Sequence, residues 1–259
     1  MSLFSNWFQT KKDEDEDACL WMLQENPNQQ KTVRNEFCKI VRSHYDELDA
    51  IAQDIKDLGY PAASAIFNER LPVTKKARSG ELGEIMATEF AEENLGFKIP
   101  VRRIRYKDGR EMALRGDDFI GVSYNNTGKD LILLKGESKS RAVLSTTTIT
   151  EARKSLDRDK GRCTPISLLF VADRLLEREG EDKALGAILR KEIALKTLPP
   201  ENINHALFTL TGNAPKTILE KDLERADTNR VQNVINISIT DHQNFIKETY
   251  EKVAELGNK

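Results

Sequence analysis

From Thr32 onward one stripe of the chain, Phe37, Val41, His44, Leu48, Ile51, Ile55 and Leu58, recurs at alternating steps of four and three. That period predicts a long amphipathic helix, stopped by Gly59 and Pro61. At under four heptads, the stripe suits packing within the chain better than a coiled-coil seam. His44 on it reads as a satisfied, partly buried histidine rather than a ligand. A short helix over Pro61–Leu71 follows, and Pro72 with the basic loop Lys75-Lys76-Ala77-Arg78 marks a boundary. Ser79 then caps a helix with Leu82, Ile85, Met86 and Phe90 on one side, ended by Gly96. Next, Phe97–Tyr106, Met112–Tyr124 and Asp130–Lys139 read as a three-stranded meander, with Asn125-Asn126-Thr127-Gly128 as the last turn. A helix over about 150–158, a buried strand over Ile166–Val171, helices near 173–178 and 182–196, strands at His205–Thr211 and Val234–Ile239 and a closing helix capped by Asp241 complete the reading. This order implies a mixed sheet with helices on its faces. Residues 1–30 combine Phe4, Trp7, Phe8 and Trp21 with the acidic run Asp13-Glu14-Asp15-Glu16-Asp17; they read as a solvated loop, or alternatively as a docking segment for a basic partner.

The 259 residues are enough for one large domain or two small ones with a core that needs no metal or disulfide staples. Cys19, Cys38 and Cys163 form no paired motif, which argues against a disulfide framework or zinc site and suits a reducing, cytoplasmic setting. The longest apolar stretch, Ile166–Ala172, falls far short of the roughly 20 residues of a membrane span. No signal peptide is expected either. A net charge of −2 argues at first against a nucleic-acid protein, but its distribution is uneven: residues 70–162 carry net +6 and the remainder net −8.

Several familiar sites are absent. Gly121–Lys129 lacks the spacing and the Ser or Thr of a phosphate loop, no G-x-S-x-G or H-E-x-x-H occurs, and His44, His205 and His242 are isolated. What remains is a carboxylate set: Glu84 on the capped helix, Asp117-Asp118 before the apolar run 119–122, and Glu137-Ser138-Lys139 closing a strand. Two steps along a strand return to the same face, so Glu137 and Lys139 point together. Hard oxygen ligands beside an ammonium suit a magnesium ion, which keeps several waters, and a water nucleophile that the lysine orients or deprotonates. The alternative is a structural Glu–Lys pair at a sheet edge. Acid-x-Lys triplets also occur at Asp54-Ile55-Lys56 and Glu181-Asp182-Lys183, so placement at the end of a buried strand is what distinguishes Glu137-Ser138-Lys139. Arg102, Arg103, Arg105, Arg115, Lys135, Arg141, Lys154 and Arg158 are candidates to track a phosphate backbone, with solvated faces as the alternative.

A helix glutamate, Gly-Asp-Asp before an apolar strand and then Glu-x-Lys resembles the PD-(D/E)XK nuclease superfamily over about residues 79–172. The segments Arg78-Ser79-Gly80-Glu81-Leu82-Gly83-Glu84, Arg115-Gly116-Asp117-Asp118-Phe119-Ile120-Gly121 and Leu134-Lys135-Gly136-Glu137-Ser138-Lys139-Ser140-Arg141 are similar to the HamA family, nuclease subunits of the Hachiman anti-phage system. Gly116 stands where the superfamily usually has proline. The resemblance implies an α/β fold of mixed α+β type with a restriction-endonuclease-like core, residues 73–259 as nuclease domain and 1–72 as a helical extension. It implies a Mg²⁺-dependent DNA endonuclease, with Mn²⁺ as a possible substitute, working with a HamB-like helicase. Carried over, Glu84, Asp118 and Glu137 hold the metal and Lys139 is the catalytic lysine. Asp117 is the alternate carboxylate; of the basic residues named on charge, Arg115, Arg141 and Lys154 are taken as the candidates for DNA contact. Glu84 ranks over Glu81 because it lies twelve residues before Gly96-Phe97, a spacing similar to that in archaeal resolvases. A non-catalytic DNA- or helicase-binding subunit of the same fold, and an RNA nuclease, are the competing readings.

Overall fold

The β-branched and leucine-rich runs near 131–134, 203–210 and 234–237 become the buried middle of one sheet. The computed structural model describes residues 2–15, 17–125, 128 and 130–256. In chain order it has α1 (Leu3–Trp7), the hairpin β1 (Phe8–Asp15) and β2 (Ala18–Glu25), then α2 (Pro27–Ser43), α3 (Leu48–Leu58), α4 (Tyr60–Arg70) and α5 (Lys75–Asn94). The hairpin β3 (Phe119–Tyr124) and β4 (Leu131–Arg141) follows, then α6 (Thr146–Asp157), α7 (Pro165–Leu176), α8 (Gly180–Leu195), β5 (Ile203–Thr211), α9 (Lys216–Leu223), β6 (Gln232–Ser238) and α10 (His242–Ala254). The six strands lie in the order β1-β2-β6-β5-β4-β3, with β2, β6, β5 and β4 parallel and the two outer pairs antiparallel. The fold is therefore a mixed α/β sheet flanked by helices. Among the described residues no helix is long and apolar enough to cross a membrane.

Strand alternation assigns each face its cover. Leu134, Phe208, Leu210 and Ile237 pack under α5 and α10, while Leu207 and Val234 pack under α6 and α9, and Ile120 and Leu133 under α7 and α8. Each such buried Leu or Phe side chain is worth about 1.5–3 kcal/mol relative to exposure.

Several local expectations change. The N-terminal segment is not a solvated loop: β2 buries Cys19, Leu20 and Leu23 beside β6, and Asp13, Glu14 and Asp15 sit on the exposed edge strand β1, where charge discourages pairing with another sheet, with Asp17 in the turn. Glu16 of the acidic run lies outside the described residues, as do Asn126 and Thr127 of the expected turn. The single helix expected over 32–58 is two, α2 and α3. The chain turns at His44–Glu47 so that Tyr45 can enter the core and reach Glu81 and Tyr250, each 2.7 Å away. The first turn of α5 is the basic segment itself, capped by Thr74, and Ser79 is buried within the helix against Ser140. Residues 97–106 supply only the bridge Lys98–Val122 and a 3-10 turn at Arg103–Tyr106, because the arginines there are drawn to internal acceptors. The second strand of the expected meander shortens to Phe119–Tyr124. Ile166–Val171 is helical: Thr164 caps α7 and Pro165 opens it, leaving Leu168, Val171 and Leu175 buried with Ile166 and Leu169 exposed. An unbroken apolar run carries no period to separate strand from helix.

Candidate active site

β3 starts at Phe119 opposite Gly136, so the rest of β4 runs on past the end of its partner and the two strands fork. Glu137, Ser138 and Lys139 occupy that overhang. Two glycines let the walls close on it: a Cβ on Gly136 would lie 2.2 Å from the Phe119 ring, and one on Gly83 of α5 would lie 2.9 Å from Ser138 Oγ. Glu84 follows Gly83 by one residue, and Ser155 of α6 approaches Glu137 from the opposite face of the sheet, favouring its charged form.

Asp118 is fixed to the fork by two contacts. Its N–H donates to Gly136 O at 3.1 Å, and its Oδ2 accepts the Ser138 N–H at 2.7 Å. Lys139 Nζ donates to Glu137 Oε1. Glu84 makes no hydrogen bond or ion pair among the described residues, and it lines the same hollow as Asp118 and Arg103. Burial, then the neighbouring charges of Asp118 and Glu81, raise the Glu84 carboxyl well above its ordinary range. Burial also raises Asp118, against the pull of Lys139 and the Ser138 N–H. Burial and the Asp118 charge push Glu137 up to about 7 despite Lys139. The fold thus lines up three carboxylates, each disfavouring ionisation of the next, with too little positive charge beside them.

Asp117 goes elsewhere. Its Oδ2 accepts the Thr164 N–H at 2.7 Å and the Thr164 hydroxyl at 3.0 Å, and Lys135 lies 3.7 Å from Oδ1. Gly116, at φ 97°, permits this: a Cβ there would meet Ser167 Oγ at 2.1 Å. The structure therefore brings Glu84, Asp118, Glu137 and Lys139 together and leaves Asp117 on the α7 side. Glu81, one turn before Glu84, accepts from Tyr45 and Lys107. His44 is satisfied by Glu89 at 2.7 Å, and burial lowers it to about 4. Of the other triplets, Asp54 and Lys56 lie on α3 and Glu181 and Lys183 on α8, both remote from the fork.

The basic candidates divide. Arg115, Arg141, Lys154 and Arg158 are exposed. Arg102 pairs with Glu89 and Glu92, Arg105 with Glu47, and Lys135 is buried, which corrects their reading as backbone trackers. Arg103 turns inward: it donates to Arg115 O at 2.7 Å, stacks on Phe170, and lines the hollow that holds Glu84 and Asp118, whose charged forms it favours. Its position in a run of arginines gave no sign of that role.

For a metal ion, the donor chemistry fits. Hard carboxylate oxygens that raise one another's pKa are relieved by a divalent cation, and Mg²⁺ is commonly held by only one or two carboxylates with waters and substrate phosphate. Among the described residues no set of three or more His, Cys, Asp or Glu side chains is gathered closely enough to hold an ion unaided. Asp118 and Glu137 would be the pair, with Glu84 beside Asp118 in the same hollow.

A family model described as HamA matches residues 1–253 of the chain. The Hachiman protein HamA of Bacillus cereus is 28% identical over 180 residues, covering 70% of this chain and 62% of that relative.

Proposed function

The chain belongs to the HamA family, and from that premise we propose that it is a Mg²⁺-dependent DNA endonuclease of PD-(D/E)XK type, serving anti-phage defence beside a HamB-like helicase. The carboxylate cluster of Glu84, Asp118 and Glu137 with Lys139 at the open β3–β4 fork carries this reading. Asp118 and Glu137 would hold the ion, with Glu84 shaping its outer side. Bound there, the ion supplies Lewis-acid stabilisation of the charge that develops on the phosphate. Asp118 keeps its orientation through the Ser138 N–H, so the ligand geometry is preset by backbone. Lys139 Nζ, partly exposed at the mouth of the fork, orients the attacking water and holds positive charge against the scissile group. The division into residues 1–72 and 73–259 belongs to this proposal as a functional one only, since β2 pairs with β6 in the same sheet and Phe37 and Phe67 share a core with α5 and α10.

Supercoiled plasmid incubated with the protein and Mg²⁺ tests it. Wild type is expected to nick the plasmid, and Lys139→Ala and Glu137→Ala to lose that activity while keeping the wild-type circular dichroism. Nicking that survives both substitutions sinks the assignment. The closed Glu137–Lys139 pair favours a second reading, a non-catalytic subunit that binds DNA or the helicase. A wild type inactive with Mg²⁺ and Mn²⁺, with and without the helicase, that still binds either partner would decide for it.

A further inference from the structure

The helix that closes the fork from one side is also a wall of a second depression. Residue 155 of α6 reaches Glu137, and residue 154 lines a groove between α6 and α9. From the far wall Lys221 and Arg225, one helical turn apart on α9 and its C-terminal turn, face the same groove. Lys154, Lys221 and Arg225 are all solvent-accessible. Of the two acids in the groove, Asp222 is taken by Arg153, which holds it with Nη2 at 2.6 Å and Nε at 3.3 Å. That leaves three accessible cations against Asp157, with the hydroxyls of Thr146, Thr150 and Thr217 between them. The exposed acids Glu151 and Glu224 of the same helices are not among the lining residues.

We propose that this groove seats the phosphodiester backbone of the DNA, so that α6 lies under the nucleic acid with the cleavage site on one flank and the Lys154–Lys221–Arg225 groove on the other. The inference rests on the nuclease reading for its substrate, and it extends the contact surface to α9. Ammonium and guanidinium groups with short hydroxyls are the donor set that phosphate oxygens recognise, and such contacts position the duplex without reading its sequence. A protein partner's acidic segment has the same charge but no reason to lie one helix away from a phosphodiesterase site.

Anisotropy binding of a labelled duplex by the full chain in EDTA, across a salt series, tests the groove without requiring hydrolysis. Lys221→Glu/Arg225→Glu is expected to weaken binding at least tenfold and to make the log K against log salt slope shallower by about 2, near 0.9 for each phosphate no longer neutralised. Lys31→Glu/Lys39→Glu, an equal charge change on the exposed side of α2, is the control and is expected to leave both quantities near wild type. Lys221→Gln/Arg225→Gln gives the same test with a smaller perturbation. Unchanged affinity and slope in both groove variants overturns the proposal, as does loss of helicase binding with DNA binding intact. A catalytically inactive wild type whose DNA binding nevertheless fails in the groove variants would overturn the nuclease reading and leave the groove standing.

Discussion

Lys135 and Lys139 sit four residues apart on the same face of β4, each beside a carboxylate, and their surroundings have opposite character. Lys135 is 1% exposed and donates to the carbonyls of Arg158 and Arg162 at 2.8 Å each, with Asp117 behind it. The segment it holds contains Asp159, Lys160 and Gly161 at positive φ, and His205 and Arg230 bind the Gly161 carbonyl at 2.8 and 3.1 Å. Backbone bent into that region is retained only where surroundings over-determine it. Lys139, by contrast, has a side chain 22% exposed, one partner, and a row of carboxylates whose protons are held too tightly. A buried charge with its partners in place is architecture. Carboxylates left facing one another at an opening are poised for something that arrives from outside.

The largest expected effects separate the two lysines by what they damage. Lys135→Met leaves Asp117 buried without its cation and the Arg158 and Arg162 carbonyls without their donor, and is expected to cost about 3–5 kcal/mol in urea unfolding. Lys139→Ala is expected to leave unfolding within about 1 kcal/mol of wild type, since its side chain is partly solvated, while removing cleavage by roughly 10²-fold or more. A Lys135→Met protein of wild-type stability, or a Lys139→Ala protein that unfolds early, would erase the contrast.

The fork was legible from sequence where a period could be read. Glu137 and Lys139 share a strand face by parity, the same parity separates Asp117 from Asp118, and Glu84 falls on the side of α5 that meets the sheet. Partners were harder to read than positions. Arg102, Arg103 and Arg105 carry the charge expected of phosphate contacts, yet their acceptors are Glu89, Glu92, Arg115 O and Glu47, brought near only by the fold. Lys221 and Arg225 were hidden for the converse reason: they lie in the acidic remainder of the chain, and their groove exists only once α9 packs beside α6. The N-terminal hairpin is hidden in the sequence because its edge strand is exposed and charged from Lys11 to Asp15, and α7 because an unbroken apolar run has no period.

A smaller effect of pH sharpens the same contrast. His205, clamped on Gly161 O, is held down to about 3 by burial, below the 6.5 of the unfolded chain. Below pH 6.5 the unfolded chain takes up a proton that the folded one refuses, so this contribution is intact above 6.5 and is lost as the pH falls toward 3. Between pH 6.5 and 5 that amounts to about 2 kcal/mol. His205→Asn is expected to lose that much less of its own stability over the interval than wild type does. Equal losses in the two proteins would mean that His205 takes up a proton in the folded state.

At the fork the sign reverses, and the effect is the smallest. Glu137 titrates near 7 in the folded protein, above the ordinary 4.5 of an unfolded glutamate, because burial and Asp118 disfavour its charge. Here the folded chain keeps a proton that the unfolded one releases, so stability is greatest below pH 4.5 and declines as the pH rises from there through 7. Glu137→Gln removes the penalty. In EDTA at pH 8 it is expected to be more stable than wild type by about 1–2 kcal/mol, screened by the partly exposed Lys139, and level with it at pH 4.5. Mg²⁺ should narrow the difference at pH 8 by stabilising wild type alone, because the ion favours the ionised carboxylate that the substitution has deleted. A Glu137→Gln protein less stable than wild type at pH 8 would make Glu137 a structural partner of Lys139, as closed as the Asp117–Lys135 pair four residues earlier along the same strand.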